Sequence, residues 1–471
     1  MKVLIGGEFV DSSDHYEVKN PYNGETVDTV PICFRPDVDK AVEAANSAKK
    51  ALCDMSAKEV SNNLYSAYEE LEERSEELAK LIVLEAGKPY KQAIGELNRS
   101  AETLKFAAEE AKRIYGESVP IDATGSVDER FLAFTKKVPL GVVGAITPFN
   151  YPVNLALHKI APAIAAKNTV VVKPSTEAPL SALKLVEIIN NHFPDGVINS
   201  VTGYGSEVGD ALVVSEGVDK ISFTGSIATG LFISSRAGMK KLTMELGGND
   251  PLLVLDDADI EKAVSAAVSG AFLFSGQVCI GVKRIILDNK IADEFIDLFV
   301  KEASKLKIGN PMDKSTDIGP LINENAAIHV EQSVNSAIED GAELLLGGNR
   351  KDCFYEPTIL DNVNMSMDIV ANETFGPTAP IIRVDGIDEA IKEANNTQYG
   401  LQAGVFTENV HNALRCANEI DAGSVLINKE STFRTDAMPF GGFKSSGLGK
   451  EGIKYAVEDM CKFKLIAFNC K

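Results

Sequence analysis

From residue 131 onward, short β-branched runs alternate with helix-like stretches, and this alternation constrains the fold more than any other feature of the chain. Val142-Val143-Gly144-Ala145-Ile146 precedes a helix-like 153–166 and then Thr169-Val170-Val171-Val172. A helix-like 180–193 leads on to Val197-Ile198-Asn199-Ser200-Val201 and to Lys220-Ile221-Ser222-Phe223. Apolar strands separated by helices of roughly 10–15 residues make βαβ units and a parallel sheet. A second series follows, with strands near 252–255, 284–287, 380–384 and 424–427. Two such series imply two α/β domains with a cleft between them. A length of 471 residues, more than one compact core fills, agrees with that division. Residues 37–115 read as helices rich in Ala, Glu and Lys, broken near Gly87-Lys88-Pro89. The final stretch from Cys461 to Phe468 reads as a strand. A strand at the end of a chain needs an edge to pair with, and another subunit is one place to find it.

Composition removes several classes of function. The formal net charge is −21, with no basic stripe, so a phosphate backbone would be repelled and nucleic acid is a poor partner. No apolar window is long enough for a membrane span, and the first residues lack the apolar centre of a signal peptide. The seven cysteines are scattered, with no Cys-x-x-Cys, and no pair of the five histidines has metal-site spacing. No metal is expected, and a reducing, cytoplasmic location is.

Several residues could carry chemistry. Cys279 follows Gly276-Gln277-Val278; alone it reads as a small buried side chain or as a nucleophile. Glu245 precedes Leu246-Gly247-Gly248, a turn by composition, yet it lies between Met244 and Leu246. A carboxylate in an apolar setting has its pKa raised toward the range of a general base. Asn150 lies just beyond a strand, as a turn residue or an oxyanion donor. Lys173 also ends a strand, where open α/β sheets bind ligands. Two glycine-rich stretches offer phosphate cradles. Gly203 to Gly209 has one residue too many for the dinucleotide fingerprint, whereas Gly225-Ser226 to Gly230 follows a strand and opens a helix.

Taken in order, these segments closely resemble the aldehyde dehydrogenase superfamily. The matching motifs are Pro-Phe-Asn-Tyr-Pro at 148–152, Lys-Pro-Ser at 173–175, Phe-Thr-Gly-Ser at 223–226 and Glu-Leu-Gly-Gly at 245–248. Gly-Gln-Val-Cys at 276–279, Glu-Thr-Phe-Gly-Pro at 373–377 and Pro-Phe-Gly-Gly at 439–442 complete the set. The resemblance covers essentially the whole chain. It implies two Rossmann-like α/β domains and a small β oligomerisation arm. Residues 1–116 and 137–248 would bind the cofactor and 249–455 would form the catalytic domain. The arm, 117–136 with 456–471, would build a homodimer or homotetramer.

The resemblance also implies roles. Cys279 would attack the aldehyde carbon, Asn150 would hold the oxyanion, and Glu245 would activate the water that hydrolyses the thioester. Lys159 would lie on the proton path. NAD or NADP would be held by Pro148, Lys173, Ser175, Thr176, Gly225, Ser226, Gly230, Glu245, Leu246, Gly247, Glu373 and Phe375. Relatives that prefer NAD commonly place Glu where this chain has Thr176, so NADP is expected to be accepted or preferred.

Among branches, the chain looks most like non-phosphorylating glyceraldehyde-3-phosphate dehydrogenases and archaeal lactaldehyde dehydrogenases. Phosphate recognition calls for clustered cations. Members acting on glyceraldehyde-3-phosphate carry Arg before the cysteine, and this chain has Val278. Phe433, next to Arg434, and Lys105 occupy two further Arg positions, and Tyr151 completes the implied substrate site. Lactaldehyde is the leading substrate, ahead of glyceraldehyde-3-phosphate and succinate semialdehyde. A catalytically silent binding protein is the remote rival, since both Cys279 and Glu245 are intact.

Overall fold

The computed structural model describes residues 1–125 and 131–470. Two sheets dominate it. In the first, the strands Lys241–Glu245, Lys220–Thr224, Val142–Ile146, Thr169–Lys173 and Ile198–Ser200 lie side by side in that order, all parallel. Val142–Ile146 is central: the chain builds outward on one side of it, then returns to build on the other. Such a reversal opens a crevice at the carboxyl ends of the strands. There the sheet presents Ile146, Lys173, Thr224 and Glu245.

The second sheet has seven strands, with Val282–Asp288 at its centre between Thr378–Val384 and Asp250–Val254. Gln402–Phe406 and Ser424–Ile427 extend one side, and Thr358–Asp361 with the antiparallel Glu343–Leu346 the other. Gln402–Phe406 was not anticipated, because Gln402 and Gly404 disguise a fully buried strand. This sheet turns the amino ends of its strands to the cleft. Cys279 lies just before Val282, and Phe375 just before Thr378. Two contacts close the cleft: Asn150 Nδ2 donates to the Gln277 carbonyl at 2.8 Å, and the Phe149 and Phe375 rings meet edge to face.

Gly447–Leu448, expected within the catalytic segment 249–455, instead pairs antiparallel with Met244–Glu245 on the edge of the first sheet. The helix Ile453–Asp459 then buries Ile453 and Val457 in the first core. Cys461–Asn469 pairs antiparallel with Phe131–Pro139 of its own chain, so the terminal strand finds its edge without a second subunit. Ser118 bridges Phe134, but residues 126–130 of the anticipated hairpin lie outside the described residues. Among the described residues no helix is long and apolar enough to cross a membrane.

Four helices, Arg35–Asp54, Ala57–Glu73, Ser75–Ala86 and Tyr90–Glu110, pack over the first sheet. The break after Ala86 leaves Lys88 fully buried, bonded to Glu96 at 2.5 Å, with its ammonium 3.5 Å from the Tyr151 ring centroid. The other oxygen of Glu96 accepts the Val153 and Asn154 N–H groups, two of the donors that a helix start leaves free. One buried carboxylate thus fixes the helix Asn154–Ala165, which carries Lys159, and the loop holding Asn150 and Tyr151. Glu96→Leu is expected to leave Lys88 buried without its counter-ion and to cost about 3–5 kcal/mol. A thermal melt unchanged from wild type would contradict this.

Candidate active site

The nucleophile stands on a strained turn. Phe274, Ser275 and Gly276 all have positive φ, at 48°, 53° and 71°. Left-handed backbone at a residue other than glycine costs of order 1–3 kcal/mol and persists only where the surroundings over-determine it. They do so here. Phe274 N–H donates to Gln92 Oε1, Ser275 Oγ donates to the Gly319 carbonyl, and Gln277 Oε1 accepts the Ile322 N–H. Gly276 is required twice over, by its φ and because a side chain there would collide with the Gly376 carbonyl. Cys279, half-buried, emerges among Phe149, Tyr151, Val278 and Phe440.

Burial pushes the Cys279 thiol up to about 12, and the carboxylates of Glu373, Asp250 and Glu245 add to that, while Arg434 opposes it. The free thiol is therefore protonated at neutral pH and needs a base. Glu245 ends the strand Lys241–Glu245 and is buried, with neither oxygen hydrogen-bonded among the described residues. Burial, and then the nearby charge of Glu451, hold its carboxyl well above the usual range against the pull of Arg434 and Lys159. Lys159 Nζ lies 2.6 Å from Thr224 Oγ1 and 2.9 Å from Glu451 Oε1. Although burial alone would raise Glu451, the Lys159 ammonium foremost keeps it ionised. A buried carboxylate without hydrogen-bond partners, near enough to the thiol to raise it, has the makings of a proton acceptor.

Beyond the carboxyl ends of the first sheet lies a cavity of about 550 Å³, whose lining includes Lys173, Ser175, Thr176, Gly209, Phe223 and Thr229. Lys173 is buried and donates only to the Pro174 carbonyl, at 3.0 Å; burial lowers it to about 8, and no carboxylate pairs with it among the described residues. Ser226 caps the helix Ile227–Arg236, accepting the Thr229 N–H, and Gly230 leaves room for Leu246, which a Cβ would approach to 2.6 Å. A buried cation without a counter-ion, beside a helix start and a glycine turn, fits a phosphorylated nucleoside. The same fit extends to Glu373, with Oε1 unpartnered, and to Phe375 against Phe149.

The Aldehyde dehydrogenase family model matches residues 9–466. The chain belongs to that family. It is an NAD(P)-dependent aldehyde dehydrogenase, with the expected pair of Rossmann-like sheets. Lactaldehyde dehydrogenase of Methanococcus aeolicus is 45% identical over 100% of both chains. 3-Sulfolactaldehyde dehydrogenase of Priestia aryabhattai is 43% identical, over 99% of this chain and 98% of its own. The NADP complex of glyceraldehyde-3-phosphate dehydrogenase GapN from Methanocaldococcus jannaschii superposes with a TM-score of 0.94 at 44% identity, covering 98% of this chain and 100% of that one.

Within this dehydrogenase the anticipated residues divide. Tyr151 and Cys279 share one apolar cluster, Asn150 bonds the Gln277 carbonyl two residues before Cys279, Gly247 lies against the Glu373 carboxylate and Leu246 against Gly230, and Thr176 Oγ1 donates to the Gly203 carbonyl at 3.2 Å. Lys105 is engaged elsewhere: its ammonium meets Glu102 at 2.9 Å and lies over the Tyr68 ring. Phe433 is exposed, beneath Lys429. Arg434 is buried near the site but stacks at 3.6 Å on Phe440 and bonds Glu451 at 3.3 Å. Glu451, Phe440, Asp250 and Lys283 were not anticipated. A signal existed for Lys283, since charged Lys283-Arg284 opens a strand that is otherwise apolar until Asp288.

Because the thiol is held high, alkylation of Cys279 by iodoacetamide in the cofactor-free protein is expected to be slow at neutral pH and to quicken steadily into the alkaline range. Peptide mass spectrometry separates it from the exposed Cys53 and Cys470. Rapid, pH-independent labelling at neutral pH would contradict the electrostatics described.

Proposed function

We propose that this chain oxidises lactaldehyde to lactate with NADP or NAD, through a thioester on Cys279. The observation that carries the substrate reading is the absence of a free cation cluster at the aldehyde pocket among the described residues. Arg434 is committed to Glu451 and Phe440, Lys105 to Glu102, and Val278 precedes the nucleophile. A small, uncharged hydroxyaldehyde suits Phe149, Tyr151, Val278 and Phe440 better than a sugar phosphate does. The likeness to archaeal lactaldehyde dehydrogenases supports the same reading. A glyceraldehyde-3-phosphate or 3-sulfolactaldehyde reading draws on one feature, the buried Arg434 Nε that has no hydrogen-bond partner.

In this reading Cys279 Sγ adds to the carbonyl carbon as its proton passes to Glu245. The Asn150 amide and the Cys279 N–H steady the resulting oxyanion. A nicotinamide held by Glu373 and Phe375 would supply the hydride acceptor, leaving the acyl group on Cys279 as a thioester. Glu245 then takes a proton from the water that attacks the acyl carbon, and the carboxylate departs as the Cys279 thiol is restored. Between the two steps Glu245 must shed its first proton, and Lys159, held by its counter-ion Glu451, lies on that path. Lys173 and Thr176 receive the adenosine ribose; with Thr rather than a carboxylate at 176, a 2′-phosphate is not repelled. Residues 1–116 and 137–248, joined by Gly447–Leu448 and the helix Ile453–Asp459, serve the cofactor, and the rest of 249–455 the catalysis. The strands Phe131–Pro139 and Cys461–Asn469 expose Leu132, Phe463 and Leu465, an edge suited to homodimer or homotetramer assembly in the cytoplasm.

Absorbance of the reduced cofactor, read with lactaldehyde, glyceraldehyde-3-phosphate and succinate semialdehyde, tests the proposal. Lactaldehyde is expected to give the highest kcat/KM, Cys279→Ala none, and Asn150→Ala a loss of about 10²–10³ in kcat. A preference for glyceraldehyde-3-phosphate would overturn the substrate reading and leave the chemistry standing. The pH profile has a definite sign. Glu245 must be ionised to accept a proton and its carboxyl is held high, so kcat falls as pH drops through that raised value. A rate flat down to the usual carboxylate range would contradict the role of Glu245.

A further inference from the structure

Lys283 is buried at the start of the central strand Val282–Asp288 and has no role in the steps above. Its ammonium donates to the Gly276 carbonyl, inside the strained turn that presents Cys279. It also lies 5.4 Å from the Phe375 ring centroid. Phe375 belongs to the 373–377 loop, and that loop touches the same turn, since the Gly376 carbonyl packs against Gly276. One side chain therefore stands where the nucleophile turn and the nicotinamide-side loop meet.

The surrounding charges need it. Burial pushes Glu373 up to about 7, and the chief influence in the opposite direction is Lys283, followed by the Gly248 N–H. Burial lowers Lys283 itself to about 8, with Glu373, Asp250 and Cys279 acting against that. Asp250, also held high by burial, faces Arg284 and accepts the Gln402 N–H at 3.1 Å. On its remaining side Glu373 meets Tyr399, whose hydroxyl accepts the Glu373 N–H at 3.3 Å. Arg284 is committed to the Asn249, Glu393 and Ala394 carbonyls. Lys283 is thus the cation left to balance Glu373 among the described residues.

We propose that Lys283 is a positioning residue that pins the nucleophile turn through the Gly276 carbonyl and sets a positive charge beside the 373–377 loop, favouring the form of Glu373 that grips the cofactor. This rests on the reading of Glu373 as a cofactor ligand. Ionised Glu373 can accept hydrogen bonds from ribose hydroxyls through its unpartnered Oε1, whereas the protonated acid is a weaker acceptor.

The test is fluorescence titration of NADPH across about pH 6 to 9, which brackets the ionisations concerned. It uses wild type, Lys283→Gln, Lys283→Arg, Glu373→Gln and the Lys283→Gln/Glu373→Gln double variant. Lys283→Gln keeps a donor for Gly276 and removes only the charge. It is expected to bind NADPH roughly five- to tenfold more weakly near neutral pH, recovering as alkali ionises Glu373. Lys283→Arg should stay close to wild type. Glu373→Gln should weaken binding at every pH, and the double variant should be no weaker than Glu373→Gln alone. Wild-type affinity and pH profile in Lys283→Gln, a loss that does not vary with pH, or additive losses in the double variant would each overturn the proposal. If Lys283→Gln does not fold, Glu373→Gln and Lys283→Arg decide: unchanged affinity in the first, or loss across all pH in the second, overturns it. Wild type without saturable NADPH binding would instead bring down the cofactor reading, and this inference with it.

Discussion

The site depends on a turn that would not hold its shape alone. Phe274 and Ser275 adopt left-handed backbone that their side chains disfavour, and each is pinned from a different part of the chain. Gln92 reaches in from the helix Tyr90–Glu110, and Gly319 and Ile322 from the loop after the helix Ala292–Ala303. Asn150 arrives from the first sheet to meet the Gln277 carbonyl. Strain of this kind persists because the surrounding fold leaves no alternative. It points Cys279 into the cleft while the rest of its segment stays buried. The two sheets are thereby tied together at the chemistry.

Electrostatics set the second condition. Around Cys279 the cleft gathers Glu245, Glu373 and Asp250, with Arg434 as the opposing charge. Burial first, and then that balance, keeps the thiol protonated, and an unreactive thiol is a guarded one. It also separates the acids by environment. Glu451, beside Lys159, is an anion; Glu245, beyond hydrogen-bond reach of any cation among the described residues, is held toward its neutral form. Acids pushed apart in this way take different parts, the raised one able to take and release a proton and the lowered one fixed as a charge.

Much of this was legible in the sequence. Strand–helix alternation gave both sheets, because fully buried parallel strands read as continuous apolar runs such as Thr169–Lys173. Asn150 and Lys173, at the ends of such runs, were legible for the same reason, since sheet ends are where an open α/β fold meets its ligands, whereas Glu245 was legible as a carboxylate between the apolar Met244 and Leu246. What stayed hidden depended on contacts distant in sequence. Nothing local shows that Glu96 fixes the helix carrying Lys159, or that Gly447–Leu448 returns to the first sheet. Lys105 and Phe433 were placed by the resemblance alone, which does not reveal that the neighbours Glu102 and Lys429 engage them.

In the proposed mechanism Cys279 carries the acyl group and Glu245 releases it. Glu245→Gln, incubated with lactaldehyde and NADP and then quenched in acid, tests this most directly by peptide mass spectrometry. Expected is a lactoyl adduct on the peptide containing Cys279, formed faster as alkali ionises the thiol without help from Glu245, and persisting because hydrolysis lacks its base. Full turnover by this variant with no adduct on Cys279 would contradict it.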